Sequence, residues 1–225
     1  MKKALFACLL ASAFGIPAVA DSVSTDKSDF AEISTVIDDA AYDIRYYSAN
    51  NFTGKRVDGY KAPRAYLTKE ALAALSKAAE DLRSQGYRLL IWDSYRPQKA
   101  VDNFVSWMND PKDPGNKHFY PDLEKKDLVT GNYVATKSSH TRGSTVDLTI
   151  IQMNGTTVDM GGTFDLFSER SHPDYANITE EQKKNREILR NAMVKAGFSG
   201  VDSEWWHYTY KDEPYKDTYF NFDVE

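Results

Sequence analysis

Two short stretches of this chain carry side chains that could hold a metal ion and work on a water molecule. The first runs Ser138-Ser139-His140-Thr141-Arg142-Gly143-Ser144-Thr145-Val146-Asp147, and the second is Glu204-Trp205-Trp206-His207. Together they offer two imidazoles and one carboxylate, His140, His207 and Asp147, with Glu204 to spare three residues before the last histidine. Zinc in a catalytic site takes three such nitrogen and oxygen ligands and keeps a fourth position for water. A carboxylate beside that position can take the water's proton and return it. These residues therefore suit zinc-dependent hydrolysis, with one ion per chain.

Taken singly, each residue has a plainer reading. A lone histidine is more often a satisfied core or surface residue than a ligand. Asp147 lies in an apolar run where an unpaired carboxylate would be costly, so a structural salt bridge would serve it as well as a metal. Glu204-x-x-His207 is a short pattern that recurs by chance, and it could be an aromatic strand with a stray charge. The two tryptophans inside it do give bulk that excludes water. Arg96, in Asp93-Ser94-Tyr95-Arg96-Pro97, could steady an oxyanion or form a surface ion pair with Asp93. Spacing alone favours neither.

The elements that must position these residues follow from local pattern. Val36-Ile37 and Tyr42 to Tyr47 read as extended. Thr68 suits the N-cap of a helix with Leu72, Leu75, Ala79 and Leu82 on one face, and Gly86 ends it. Tyr87 to Trp92 is a buried strand that delivers Asp93 to Pro97. Pro97 suits the first turn of a second helix, whose apolar face is Ala100, Val101, Phe104, Val105 and Met108. Residues 109–131 are polar and long for a connection, and read as a lid. Tyr133-Val134-Ala135 leads into the first motif. Val146 to Ile151 is a strand, Asn154-Gly155 a hairpin turn, and Thr157 to Met160 its return. Thr179 and Gln182 make a capping box for a last helix with Ile188, Leu189, Ala192, Met193 and Ala196 inward and Gly197 as its stop. Trp205 to Tyr210 is the closing strand. With no repeat and no linker, the expectation is one α+β domain, an antiparallel β-sheet with helices packed against it.

The chain has 225 residues, 41% of them hydrophobic, enough for one sizeable core. Lys2-Lys3, the apolar run Ala4 to Ile16 and Ala18-Val19-Ala20 form a secretory signal peptide over 1–20, leaving 21–225 as the domain. Export to the periplasm is the expectation, without a stable membrane anchor, because the run is shorter than the ~20 residues a span needs. Cys8 is the only cysteine and too little apolar sequence precedes it for lipid attachment, so the exported chain has no disulfide and no thiolate nucleophile. Acids outnumber bases, 33 to 28, and no basic run stands out. That argues against nucleic acid or an anionic membrane as partner.

Ser138-x-His140-x-x-Gly143-x-x-x-Asp147 with Glu204-x-x-His207 resembles the zinc D-alanyl-D-alanine dipeptidases of the VanX type, within a larger group of zinc peptidases acting on bacterial cell-wall peptides. The likeness extends to Asn51-Phe52-Thr53-Gly54, Val57-Asp58-Gly59-Tyr60, Trp92-Asp93-x-Tyr95-Arg96-Pro97, Ser168-Glu169-Arg170-Ser171-His172 and Asp212-Glu213-Pro214-Tyr215. So many segments in one order make chance a poor explanation. The resemblance implies zinc on His140, Asp147 and His207, Glu204 as general base and acid, and Arg96 as the group that stabilises the tetrahedral intermediate. It also implies Tyr46, Tyr60, Ser138 and Asp165 at the substrate's ends. Asp165, beside Phe164, suits the substrate's ammonium, unless it merely caps a turn. The implied reaction is hydrolysis of the free dipeptide D-Ala-D-Ala to two D-alanines.

The nearest alternative is a D,D-carboxypeptidase or endopeptidase of the same group, trimming larger murein peptides. A zinc-containing module that binds wall peptides without cutting them would need neither Glu204 nor Arg96. Two features depart from the family pattern. Thr145 stands where alanine is common, which touches fine specificity only. The signal peptide is absent from the cytoplasmic relatives associated with glycopeptide resistance, which touches the physiological role.

Overall fold

A computed structural model of the protein describes residues 22–130 and 135–225. In chain order its elements are β1 (Ser22–Ser24), β2 (Phe30–Glu32), β3 (Ala41–Tyr42), β4 (Tyr66–Thr68), α1 (Lys69–Ser84), β5 (Tyr87–Asp93), α2 (Gln98–Asn109), α3 (Asp127–Thr130), β6 (Thr145–Gln152), α4 (Glu180–Lys195), β7 (Phe198–Val201), β8 (Glu204–Tyr210) and β9 (Thr218–Phe220), joined by loops and 3-10 turns. The signal-peptide reading, and Tyr133 and Val134, fall outside the described residues.

Every residue of β6 except Gln152 is buried, as expected of a strand with neighbours on both edges and cover on both faces. It is the centre of a five-stranded sheet ordered β3-β5-β6-β8-β7. The α+β class holds, but the sheet is mixed: β5, β6, β8 and β7 run antiparallel, while β3 joins β5 in parallel. The chain passes from β3 through β4 and α1 before it reaches β5, the kind of crossover that a parallel pair requires. Two small pairs stand apart, β1 parallel to β9 and β2 antiparallel to β4.

The apolar face of α1 is buried as its spacing predicts, through Ala71, Leu72, Leu75, Ala78, Ala79 and Leu82. Both reciprocal bonds of the capping box are present at Thr179 and Gln182. Thr68 does stand at the N-cap of α1, yet its hydroxyl bonds to Ser144 Oγ at 2.9 Å and leaves the helix uncapped. Several local expectations are corrected. Only Ala41–Tyr42 is extended before a 3-10 turn at Arg45–Tyr47. Pro97 is the N-cap of α2, not its first helical residue. The stretch after α2 is no open lid where it is described, because Phe119, Tyr120 and Leu128 enter the core. The return after the Asn154-Gly155 turn makes a single bridge, Thr157 to Ile151. β8 lies inside the sheet, with β7 at the edge.

Gly143 ties the core to the first motif. It closes the 3-10 turn Ser139–Arg142 in the left-handed region, at φ 82°. A Cβ there would lie 2.2 Å from Phe30 Cε1. Phe30 cannot retreat easily, since its ring packs edge-on against Tyr95, Phe220 and Phe222. Gly143→Ala should therefore lose stability through both backbone strain, about 1–2 kcal/mol, and overpacking, about 1–3 kcal/mol. A denaturant midpoint unchanged from that of the parent would contradict this account.

Candidate metal centre and cleft

Strand register lines up three acidic and imidazole groups in one row. Asp93 of β5 is the partner of Asp147 on β6, and Asp147 is the partner of His207 on β8. Directly opposed residues of antiparallel strands project on the same face, with Cβ atoms about 5 Å apart. A register shift between Ile91 and Asp93 brings Asp93 into that row. His140 enters from above on its 3-10 turn, where Ser138 Oγ accepts from the His140 backbone N–H at 3.3 Å. The Arg96 backbone N–H donates to the His140 carbonyl at 3.3 Å, so the two loops that flank the row are tied together.

The ligand atoms converge. One from each of His140, Asp147 and His207 lies within 4.8 Å of the others. His140 Nε2 is 3.1 Å from Asp147 Oδ2 and 3.3 Å from His207 Nδ1, which in turn is 3.1 Å from Asp147 Oδ1. The other nitrogen of His140, Nδ1, lies 2.7 Å from the Ser94 carbonyl, which can only accept. That bond puts the proton on Nδ1 and leaves Nε2 as a lone pair. Burial depresses the His140 imidazole below its ordinary value and keeps it neutral. Nε2 therefore faces the Asp147 carboxylate, acceptor against acceptor. Asp147 Oδ1, also buried, faces only the His207 ring nitrogen at 3.1 Å. Burial works against ionisation of Asp147, and positive charge beside it, shared with the His140 and His207 rings, is what holds the carboxyl well below the usual carboxylate range. Burial would also depress His207, yet the Asp147 and Glu204 carboxylates raise it. Lone pairs and a carboxylate aimed at one point fit a cation, and a carbonyl orienting the far nitrogen of a histidine is the usual support of a metal ligand.

Charge points the same way. Four carboxyl groups, Asp93, Asp147, Asp165 and Glu204, share the surroundings of one guanidinium, Arg96. Burial raises three of these carboxyls, Asp93, Asp165 and Glu204, so ionising them together in this mostly buried site is unfavourable unless cations enter it. A divalent ion at the His-Asp-His cluster would offset that cost.

Glu204 stands beside the cluster. Its Oε2 is 3.5 Å from His207 Nδ1, and its side chain keeps 23% of its exposure. Burial raises its carboxyl above the ordinary value, which suits a group that must pick up a proton. Arg96 makes the ion pair that spacing left open. Its Nε donates to Asp93 Oδ2 at 2.9 Å, in a pair that is buried, not on the surface. One of its terminal nitrogens lies 3.6 Å from Asp147 Oδ2, and its guanidinium stacks over Tyr46 and Phe104. Arg96 also lines the cavity beside the cluster, where a guanidinium could meet an oxyanion.

These groups open on a cavity of about 200 Å³ whose wall includes Tyr46, Arg96, Ser138, Asp165, Glu204 and His207. Asp165 is buried and carries a left-handed backbone, φ 56°. The Tyr46 hydroxyl donates to its Oδ2 at 2.9 Å, and burial pushes its carboxyl well above the carboxylate range. Tyr60, in contrast, does not line the cavity. It is buried behind it, and its hydroxyl donates to Asp93 Oδ1 at 2.6 Å. Thr145 is also removed from the cavity wall, its hydroxyl paired across the strands with Thr209 at 2.9 Å. Phe52, Phe104 and Phe167 form the apolar side of the cavity. No motif marked Phe167. Its only signal was the aromatic run Phe164-x-x-Phe167 on the loop that carries Asp165.

A buried metal-ligand cluster flanked by a carboxylate and a guanidinium, at the bottom of a small cavity, is the apparatus of a hydrolase. A family model described as D-ala-D-ala dipeptidase, of the M15 peptidases, matches residues 26–225. A D-alanyl-D-alanine dipeptidase of Enterococcus faecalis is 44% identical over 200 residues, covering 88% of this chain and 99% of its own. One from Streptomyces coelicolor is 42% identical over 198 residues, with 87% and 98% covered. One from Escherichia coli K12 is 33% identical over 184 residues, with 82% and 86% covered. The chain belongs to the D-Ala-D-Ala dipeptidase family of M15 peptidases.

Proposed function

We propose that this protein binds one zinc ion on His140, Asp147 and His207 and hydrolyses free D-Ala-D-Ala in the periplasm. The observation that carries the dipeptide reading is the shape of the cavity. Asp165 lines a space of about 200 Å³ in which Arg96 and Glu204 also stand, a volume suited to two small residues. Family membership and the names of the relatives support the same substrate. The donor set, two nitrogens and a carboxylate oxygen, supports zinc. Zinc bound there would polarise the scissile carbonyl and make water a better nucleophile near neutral pH.

The protein's own groups do the rest. Asp165, braced by the Tyr46 hydroxyl, receives the substrate's ammonium. Ser138 Oγ accepts from a backbone N–H, so its proton is available to the substrate's carboxylate. Glu204 takes a proton from the attacking water and returns it to the leaving amine. Arg96 donates to the oxygen of the carbonyl as it becomes tetrahedral. Two D-alanines leave. The decisive assay offers the protein D-Ala-D-Ala and a pentapeptide ending in D-Ala-D-Ala, and follows free D-alanine. Release from the dipeptide should dominate, and release mainly from the pentapeptide would replace this reading with the carboxypeptidase one.

The periplasmic location rests on Lys2-Lys3, the apolar run and Ala18-Val19-Ala20. Protein recovered from the periplasm should begin at Asp21. Active protein found in the cytosol with Met1 intact would refute export.

A further inference from the structure

The resemblance assigns Tyr60 to the substrate's ends, but its surroundings give it different work. We infer that Tyr60 is a positioning residue that aims Arg96 through Asp93, without touching the substrate. This rests on the reading of Arg96 as the group that meets the tetrahedral oxygen.

The chain of contacts is short and buried. The Tyr60 hydroxyl donates to Asp93 Oδ1 at 2.6 Å, and Asp93 Oδ2 accepts from Arg96 Nε at 2.9 Å. Asp93 and Tyr60 are almost wholly buried. Each carboxylate oxygen of Asp93 thus has one directed donor, and a buried carboxylate oxygen left without one is costly. The other contacts of Arg96 set its direction only loosely. They include the faces of Tyr46 and Phe104, at 4.9 and 5.4 Å, Asp147 at 3.6 Å, beyond a good hydrogen bond, and the Tyr60 hydroxyl itself, which therefore steadies the guanidinium directly as well as through Asp93. The Nε bond to Asp93 therefore decides which way the planar guanidinium turns. Without the Tyr60 hydroxyl, Asp93 must rotate toward another donor or take a proton, and either change loosens Arg96.

Tyr60 is itself held from outside the site. Val57 N–H donates to the Tyr46 carbonyl at 2.9 Å, and Lys61 and Ala62 N–H donate to the Val224 carbonyl at 2.8 and 2.9 Å. Val224 N–H returns a bond to Gly59 O at 2.8 Å. The C-terminal segment thus clips the loop that carries Tyr60. Two residues before Val224, the Phe222 carbonyl accepts from the Tyr95 hydroxyl at 2.9 Å, beside Arg96 in sequence.

The test is a double-mutant cycle on the zinc-loaded protein with D-Ala-D-Ala. Tyr60→Phe keeps the ring and removes only the hydroxyl. It should lower kcat about 10-fold or more, the scale for losing a hydrogen bond to a charged group, with KM within about 2-fold and zinc content unchanged. In an Arg96→Ala background the same change should cost almost nothing further, since coupled residues are not additive. Asp93→Asn is the second route if Tyr60→Phe folds poorly: it should lower kcat in the same way and, like Tyr60→Phe, cost almost nothing further in the Arg96→Ala background. A rise in KM with kcat intact would make Tyr60 a substrate contact and overturn the inference. An equal loss in the Arg96→Ala background would overturn the link to Arg96 while leaving the role of Arg96 standing. Arg96→Ala turning over like the parent would sink the reading of Arg96 and this inference with it.

Discussion

Glu204→Ala should keep the metal and lose turnover by at least about 10²-fold, the lower range for general acid–base catalysis. The geometry separates the two properties. His140, Asp147 and His207 supply the converging atoms, while Glu204 approaches the cluster only through its 3.5 Å contact with His207 Nδ1. Removing its carboxylate takes away a proton acceptor and leaves three ligands in place. His207→Ala does the reverse. It removes one of three donors, so zinc itself should be lost along with activity. Metal content and turnover measured on both variants separate the two cases. If Glu204→Ala turns over normally, another group handles the proton. If His207→Ala retains a full equivalent of zinc, the ligand set has been misassigned.

The features legible in the sequence are those written in neighbouring residues. The face of α1 follows from Leu72, Leu75, Ala79 and Leu82, and the start of α4 from Thr179 and Gln182, because helix period and capping act over a single turn. His140 and Asp147, seven residues apart, and Glu204 and His207, three apart, could be read as ligand motifs for the same reason. What joins the motifs was not legible. The row Asp93–Asp147–His207 depends on the registers of β5 with β6 and of β6 with β8, and each register is set by packing across the whole sheet. Tyr46 and Asp165 meet across 119 residues. β3 pairs with β5 in parallel because the chain between them crosses over, which its two residues do not reveal. Spacing at Arg96 could not tell a surface ion pair with Asp93 from the buried one that forms. The buried guanidinium serves Asp93 and also lines the cavity.

Free D-Ala-D-Ala should be cut far faster than its N-acetylated form. A dipeptidase has to recognise a free ammonium close to the scissile bond, whereas a carboxypeptidase must leave that side open. On the proposed reading Asp165 meets the ammonium: it lines the cavity, it is buried, and the Tyr46 hydroxyl holds one of its oxygens at 2.9 Å. Acetylation removes the positive charge and adds bulk in a cavity of about 200 Å³. A buried charge left without its partner typically costs several kcal/mol, roughly 3–5, which corresponds to about 10²-fold or more in rate. The lower end applies here. Burial raises the Asp165 carboxyl well above its ordinary value, so without a cation facing it the group can take a proton and escape part of the penalty. Asp165→Asn should narrow the gap between the two substrates, chiefly by slowing the free dipeptide. Rates of D-alanine release from both substrates, with the parent and with Asp165→Asn, measure the contribution of Asp165. Equal rates on the free and acetylated dipeptide would show that the cavity does not end at Asp165, and would favour a carboxypeptidase acting on longer wall peptides.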